Sequence, residues 1–474
     1  MRDYVLVHVN GVPHRIGGAQ AFQTLSRFLR YEQRATGTKI VCEEGDCGAC
    51  TVLIGRRDGD SLRYVPVNSC IQLLFQLDCA HVVTVEGLDR GGDLTPLQDA
   101  MVSCHGAQCG YCTPGFVMAM AGMFECTAKP VASDVRAALT GNLCRCTGYE
   151  SIITAALAVD GQPRAEDLYP SKDMVAAIAA VESEPVRIGN FARPSSIEEA
   201  VAFKAQNPNT VIVQGATDFG VWRTKRGFAP EAVLSLDGIA GLREVELQNG
   251  SLHLGGRVSL AQFEEAVRDL VPELGEIMDR FGSPQIKNAG TLAGNIANAS
   301  PIADTLPFLF VTNASLELTG VDGTRTVPIA AFYLGYKKLA LLTDEIITRI
   351  IIPLPAGGDT LRLYKISKRS HLDISSFTAA MLMRSANGRI ESIRIAYGGV
   401  GPVVLRLPKT EAFLAGRPLA LESFVAAAEI ARGEVAPITD VRGSKDFRLQ
   451  LAENILCRFY YETVSPAPAL AAHG

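Results

Sequence analysis

The sequence predicts a multidomain α+β chain, and three observations carry that expectation: its length, the changes of hydrophobic period along it, and the crowding of its cysteines. At 474 residues it exceeds the about 100–200 residues usual for one domain, so three or four are expected. Short alternating runs joined by turn dipeptides mark strands, and Ser or Thr followed by Pro and Glu or Gln mark helix starts. Eleven of the twelve cysteines lie between Cys42 and Cys146, with only Cys457 beyond. The front of the chain is therefore metal-rich and the back metal-poor.

The first elements are VLVHV and VPHRI, joined by Asn10-Gly11, the dipeptide suited to a type I′ hairpin. A β-rich module continues through TVLIG at 51–55 and closes near VVTVEGL at 82–88. Thr95-Pro96-Leu97-Gln98 then offers an N-cap, a proline at N1 and a capping-box glutamine, and Thr113-Pro114 repeats the first pair. Ser133 caps a third helix that Gly141 ends, and the apolar stretch after Tyr149 makes a fourth. Residues 160–188 mix Pro, Ala, Asp and Glu without a period, as a linker or wrapping segment would.

Beyond it, Ser195-x-x-Glu198 and Ser259-x-x-Gln262 start helices, while VIVQG and the hairpin VELQNGSLHL supply strands. A last module follows the prolines of IIIPLPAGG, with the hairpin FTAAMLMRSANGRIESIRIAYGG and then helices; VSPAPALAAHG ends the chain as a disordered tail. No internal repeat of fixed period is present.

Composition excludes several functions. No apolar run approaches the roughly 18 residues needed to span a bilayer, and MRDYVLVHVNGVPHRI lacks the apolar core of a signal peptide. A cytoplasmic chain is expected, with no membrane role. A formal charge of −5 leaves no basic footprint for nucleic acid, and RTKRG at 223–227 reads as a solvated turn. In a reducing compartment clustered cysteines bind metal rather than form disulfides.

Cys42-x4-Cys47-x2-Cys50 followed by Cys70 has the plant-type spacing of a [2Fe–2S] cluster. A loop around a small anionic core must turn sharply and aim N–H groups at sulfur, which Gly45, Gly48 and Ala49 permit. The bland alternative is a structural zinc site, since four thiolates suit zinc too. In the second set Cys109-x2-Cys112 sits at a helix start, where the dipole favours thiolate. Its partner pair, Cys144-x-Cys146, must lie on a turn between Gly141-Asn142 and Gly148, because within a helix two such sulfurs point about 200° apart. By spacing alone zinc competes here on equal terms. Cys79, Cys104, Cys126 and Cys457 read as small buried hydrophobes.

CEEGDCGACTVL with VNSC, then HGAQCGYCTPG with GNLCRCTGY, resembles the iron–sulfur half of the molybdenum hydroxylases, the group containing xanthine dehydrogenase and aldehyde oxidase. VIVQGATDFGVW and FGSPQIKNAGTLAGNIANASPIAD are similar to the flavin domain of that group, and YKISKRSHLDIS with IAYGG resembles its C-terminal flavoprotein domain. The order of parts matches the small iron–sulfur/FAD subunit of the bacterial xanthine dehydrogenases, from near the first residue to about 465.

The resemblance implies a β-grasp plant-ferredoxin-like [2Fe–2S] domain over 1–88 and a four-helix [2Fe–2S] domain over 89–160. A linker over 161–187, an α+β FAD-binding domain over 188–355, a C-terminal α+β flavoprotein domain over 356–465 and a tail over 466–474 complete it. It assigns one cluster to Cys42, Cys47, Cys50 and Cys70 and another to Cys109, Cys112, Cys144 and Cys146. Ile212, Val213, Gln214, Gly215, Ala216, Thr217 and Asp218 would cradle FAD, continued by Gly290, Thr291, Gly294 and Asn295, with Phe281 stacked on the ring. Asp304 would tune the flavin, Lys409 would contact it, and Gln108 would face the pterin of a partner chain. Ala303 departs from the Ser or Gly of relatives, and the acids of CEEGD bear on the first cluster's potential.

The implied function is electron transfer from a molybdopterin-binding large subunit through two [2Fe–2S] clusters to FAD and then NAD, in oxidation of xanthine or hypoxanthine. Another N-heterocycle or an aldehyde is the alternative substrate. The large subunit would be obligate, in an (αβ)2 assembly, docking on a face around Gln108, Tyr111 and Phe116. A free-standing flavin and iron–sulfur carrier and a zinc-stapled scaffold are the rivals.

Overall fold

The computed structural model describes residues 1–89 and 91–464, which form two compact units. One comprises residues 1–240, 259–261 and 283–291; the other comprises 241–258, 262–282 and the described chain from 292 onward. The expected tail at 466–474 lies outside the described residues.

The first unit opens with a mixed five-stranded sheet in the order Val12–Gly17, Tyr4–Val9, Ala80–Val83, Thr51–Asp58, Ser61–Asn68. Asn10 and Gly11 turn the first hairpin at φ 48° and 84°, as a type I′ turn requires. Tyr4–Val9 runs parallel to the central strand Ala80–Val83 and antiparallel to its hairpin partner. Val5, Val7 and Val9 enter a core with Phe28, Phe75 and Phe191. Leu6 and His8 are buried on the opposite face, so the alternation is real but neither face is solvated.

The four expected helices follow as Pro96–Ser103, Thr113–Phe124, Ala132–Leu139 and Glu150–Leu157. Thr95 forms its capping box with Gln98 as expected, the Gln98 Oε1 accepting from Thr95 N at 2.9 Å. Two other caps shift by one or two residues. Cys112 rather than Thr113 is the N-cap of the second helix, and Val131, whose N–H donates to Asp134, rather than Ser133 starts the third. Thr113–Phe124 is apolar on every side and buried along most of its length against Leu53, Met101 and Ile152, as an all-round hydrophobic helix must be.

The stretch expected to be a linker holds two helices, Ala165–Leu168 and Lys172–Ala179, whose Ala165, Met174, Val175 and Ile178 join that same core. The unit closes with a four-stranded sheet ordered Val186–Ile188, Phe191–Arg193, Ala232–Leu234, Thr210–Ile212, the last three strands mutually parallel. Its helix Ile197–Gln206 is capped by Ser196, one residue after the expected Ser195.

The second unit contains an antiparallel five-stranded sheet between Val245 and Pro353, with Asn249-Gly250 turning its first hairpin at φ 50° and 74°. A four-stranded sheet follows, led by the hairpin Phe377–Ala386 and Arg389–Gly398. Helices Leu421–Glu434 and Lys445–Val464 cover it through Phe424, Ala427, Leu456 and Phe459. The α+β expectation holds throughout.

Candidate cofactor sites

The first cysteine set hangs on a loop without regular structure, 40–50, and on Cys70 just beyond the strand Ser61–Asn68. Left-handed turns at Glu43, Gly45 and Gly48, with φ of 52°, 76° and 68°, fold the loop on itself. A Cβ on Gly48 would lie 2.2 Å from the carbonyl oxygen of Gly141, so only glycine fits. Cys50 and Cys70 are buried beside Ile71, with Val221 and Ile286 over them, while Cys42 and Cys47 are half-buried. Hydrogen bonding between thiols draws Cys42 far below its ordinary pKa and raises Cys47, and likewise lowers Cys50 and raises Cys70. The bonds run in a chain, Cys47 to Cys42, Cys42 to Cys70 and Cys70 to Cys50. Glu43 and Glu44, expected to act on the cluster's potential, pair with Arg27 at 3.2 Å and Lys225 at 3.5 Å, and the Glu43 carbonyl accepts from the Thr224 hydroxyl at 2.6 Å.

In the second set the sulfurs meet two by two. Cys109 and Cys146 lie 3.5 Å apart, and Cys112 is hydrogen-bonded to Cys144. Cys144 and Cys146 sit on an irregular turn, as their spacing demands. Burial pushes the Cys112 thiol up to about 12. Burial opposes ionisation of Cys144 too, but the Thr147 hydroxyl at 3.1 Å and N–H at 3.4 Å outweigh it and bring the thiol down to about 7. Two thiol pairs on neighbouring turns offer four thiolates, a donor set that suits iron or zinc.

Cys109, Cys146 and Gln108 are exposed, and so are Tyr111, Leu143 and Val102, at 52%, 61% and 65%. Phe116, expected on that face, is instead in the core at 1% exposure. Of the four cysteines expected to be buried, only Cys79 is fully so; Cys104 and Cys457 are half-buried and Cys126 is exposed.

The expected flavin loop leaves the strand Thr210–Ile212, passes through Val213 to Asp218 and enters the helix Phe219–Arg226. Ala216 holds φ 55°, a strained value for a residue with a side chain. Two glutamines fix the loop from below: Gln76 Nε2 donates to the Gln214 carbonyl at 2.8 Å and Gln72 Nε2 to the Gly215 carbonyl at 3.0 Å. A Cβ on Gly215 would sit 2.0 Å from the Ala289 carbonyl, so this glycine lets the loop lie against Ala289 and Gly290. The Oε1 of Gln214 is buried with no partner, an acceptor awaiting a donor such as a ribose hydroxyl.

In the second unit the Asp304 carboxylate accepts from Lys365 Nζ at 2.6 Å and from Ser375 Oγ at 2.5 Å, with the Lys365 and Asp304 side chains 2% and 6% exposed and Ser375 buried. Burial raises the Asp304 pKa above the ordinary value, against the pull of Lys365 and Ser375. Asn295 Oδ1 accepts from Thr305 Oγ1 at 2.6 Å, Phe281 is half-buried at the end of Pro272–Arg280, and Gly294 is exposed. Lys409 is exposed on Pro408–Leu414, its N–H bonded to Glu434 at 2.9 Å. The lysine that meets Asp304 is Lys365. Sequence reasoning missed Gln72, Gln76, Lys365 and Ser375. Polar Gln72 and Gln76 inside the apolar run IQLLFQL were the available signals, since a buried amide must have a partner.

Residues 84–157 match the [2Fe-2S] binding domain family, 185–355 the FAD binding domain in molybdopterin dehydrogenase, and 362–463 the CO dehydrogenase flavoprotein C-terminal domain. The chain belongs to the molybdenum hydroxylase family. It is an iron–sulfur/FAD member, with a [2Fe–2S] cluster and FAD as its cofactors. Xanthine dehydrogenase of Emericella nidulans is 28% identical over 98% of this chain and 39% of its own length. Aldehyde oxidase 1 of Bos taurus is 29% identical over 97% of this chain and 39% of its own length. This chain thus spans about two-fifths of these curated relatives. Among solved structures, a carbon monoxide dehydrogenase from Hydrogenophaga pseudoflava aligns with a TM-score of 0.54 and 28% identity, over 57% of this chain and 94% of its own. Quinoline 2-oxidoreductase from Pseudomonas putida 86 aligns at 0.54 and 26%, over 59% and 98%. The FAD-binding match includes residues of both compact units.

Proposed function

We propose that this chain is the electron-transfer part of a molybdenum hydroxylase, holding two [2Fe–2S] clusters and one FAD. Cys42, Cys47, Cys50 and Cys70 would hold one cluster and Cys109, Cys112, Cys144 and Cys146 the other. Clusters move single electrons, and a flavin joins them to a two-electron acceptor, for which NAD is our choice. One observation carries the reading: the loops of the two cysteine sets are bonded to each other, Leu143 N donating to the Cys47 carbonyl at 3.0 Å.

The residues do the rest. The glycines of 42–50 turn the loop, Thr147 supports a thiolate, and Val221, Ile71 and Ile286 keep water from Cys50 and Cys70. The N–H groups of the 214–218 loop, with Gly290 and Thr291, would cradle the FAD pyrophosphate. Asp304, held by Lys365, would place a fixed charge pair by the flavin. No side chain here needs to move a substrate proton, so the hydroxylation itself would occur on a molybdopterin-binding partner in an (αβ)2 assembly, acting on xanthine or hypoxanthine. Exposed Tyr111, Leu143 and Val102, with Gln108 and Cys109, make up its proposed docking face, and a cytoplasmic site suits thiols that form no disulfide.

The test is stoichiometry. Four irons, four acid-labile sulfides and one FAD per chain are expected, and two irons with one zinc would overturn the assignment of the second set.

A further inference from the structure

We propose that Gln285 is a positioning residue that fixes the two cysteine loops against each other, so that the flavin-domain segment sets the geometry between the two iron–sulfur centres. The inference rests on the two-cluster reading above. Helix Pro284–Ala289 lies within the stretch matched to the FAD-binding family yet folds with the first unit. Gln285, on its first turn, is 1% exposed. Its Nε2 donates to Asn142 Oδ1 at 2.8 Å and reaches Thr51 Oγ1 at 3.4 Å.

Both of those partners donate onward to a single acceptor, the Gly48 carbonyl: Thr51 Oγ1 at 2.6 Å and Asn142 Nδ2 at 3.1 Å. Thr51 follows Cys50, Gly48 follows Cys47, and Asn142 precedes Leu143-Cys144. One amide nitrogen therefore steadies a residue beside each cysteine loop, across the point where Leu143 N donates to the Cys47 carbonyl. Little slack exists. A Cβ on Gly141 would lie 2.2 Å from Gln285 Oε1 and 2.6 Å from Ser283 Cβ, and Ser283 itself caps the helix by accepting from Ile286 N. The Oε1 of Gln285 is buried without a partner, which destabilises the fold. What the amide contributes is the hold of its N–H groups, since an apolar side chain of similar volume would avoid that orphan.

The experiment uses the complete iron- and flavin-loaded protein carrying Gln285→Leu, with Asn288→Ala as control. Asn288 donates to the Pro66 carbonyl at 2.9 Å on the same helix. Iron, sulfide and FAD are measured first, then low-temperature EPR of the fully reduced protein, in which two nearby reduced clusters split each other's lines according to their separation and orientation. Gln285→Leu should keep full iron and shift the splitting, and the equilibration of electrons between the clusters after a flash-reduction pulse should slow several-fold. The control should match the wild type. Full iron with unchanged splitting and rate overturns the proposal. If Gln285→Leu loses iron, Gln285→Met, unbranched and close to glutamine in length, is read the same way; iron loss in both shows a merely structural residue. A wild type with one cluster signal would instead sink the two-cluster reading before any substitution is made.

Discussion

Lys365→Met tests the charge pair at Asp304. The Lys365 ammonium and the Asp304 carboxylate are 2.6 Å apart, with side chains 2% and 6% exposed. Methionine keeps most of the lysine stem's volume and removes only the charge and its donors. A buried ion pair broken on one side costs about 3–5 kcal/mol, because the surviving charge is left in low dielectric. Ser375, which still donates to Asp304, places the expectation near the lower end. For a unit of this size about 2–4 °C is lost per kcal/mol, so the melting temperature should fall by about 10 °C at neutral pH. The pH dependence has a definite sign. Burial already raises the Asp304 pKa, while Lys365 lowers it. Without Lys365 the folded carboxyl rises further and binds its proton more tightly than the unfolded one. A raised carboxyl loses stability as pH climbs through its folded pKa and recovers it below. The deficit of Lys365→Met relative to wild type should therefore shrink as the pH falls from neutrality toward the ordinary carboxyl range. Adding Asp304→Asn should restore part of the loss at pH 7. Thermal unfolding followed by circular dichroism across pH measures all three. A melting temperature within 2 °C of wild type at pH 7, or a deficit that grows on acidification, would refute the reasoning.

Four further outcomes are expected. Gly48→Ala, at φ 68° with its Cβ 2.2 Å from the Gly141 carbonyl, combines about 1–2 kcal/mol of left-handed strain with about 1–3 of overpacking; iron should be lost from both sets, and loss of two irons of four would show the loops to be independent. Gly215→Ala, its Cβ 2.0 Å from the Ala289 carbonyl, should release FAD while iron stays, read as flavin absorbance after gel filtration. Thr147→Val removes the 3.1 Å bond to Cys144; in the metal-free protein a thiol depressed to about 7 stabilises above the ordinary thiol pKa and loses that contribution as pH falls to about 7, so the variant should show a flatter stability profile there, with thiolate absorbance at 240 nm moved to higher pH. Asp304→Asn should slow reoxidation of the reduced protein by NAD in stopped-flow measurements, with iron content unchanged.

Turn chemistry was legible in the sequence to the residue. Asn10-Gly11, Asn249-Gly250 and Asn387-Gly388 all turn with both residues at positive φ, because the preference for that conformation lies in the two residues themselves. Cys109 meets Cys146, and Cys112 meets Cys144. What could not be read was who meets whom across the chain. Lys365 and Ser375 lie 61 and 71 residues from Asp304, and no spacing rule links them. Gln285 reads as one polar residue in a short helix until the fold lays it between Thr51 and Asn142. Caps drifted by a residue or two for a related reason: Val131 caps through the side chain of Asp134 and not its own, so the residue that signals a helix start need not be the one that sits there.

Phe116, expected on a docking face with Gln108 and Tyr111, stands in the helix segment TPGFVMAMAGMF. That segment has no polar side, and such a helix can only be surrounded by its own domain. Gly115 lies against the Gly48 carbonyl and Gly122 against Pro66, so both ends of the helix are occupied by the ferredoxin-like sheet and its cysteine loop. Any surface offered to a partner must then come from segments flanking that helix. Val102 on Pro96–Ser103, Tyr111 before Cys112 and Leu143 before Cys144 are those segments, each over half exposed, and Lys39 lies over the Tyr111 ring at 5.7 Å. Substituting Tyr111→Ser and Leu143→Ser together should leave the iron content of the isolated chain unchanged and abolish co-purification with a molybdopterin-binding subunit. The same pair of changes with retained co-purification would place the partner elsewhere. Phe116→Ser should act in the opposite way, unfolding the helical module and releasing iron whether or not a partner is present, since it removes a large side chain from a core rather than from an interface.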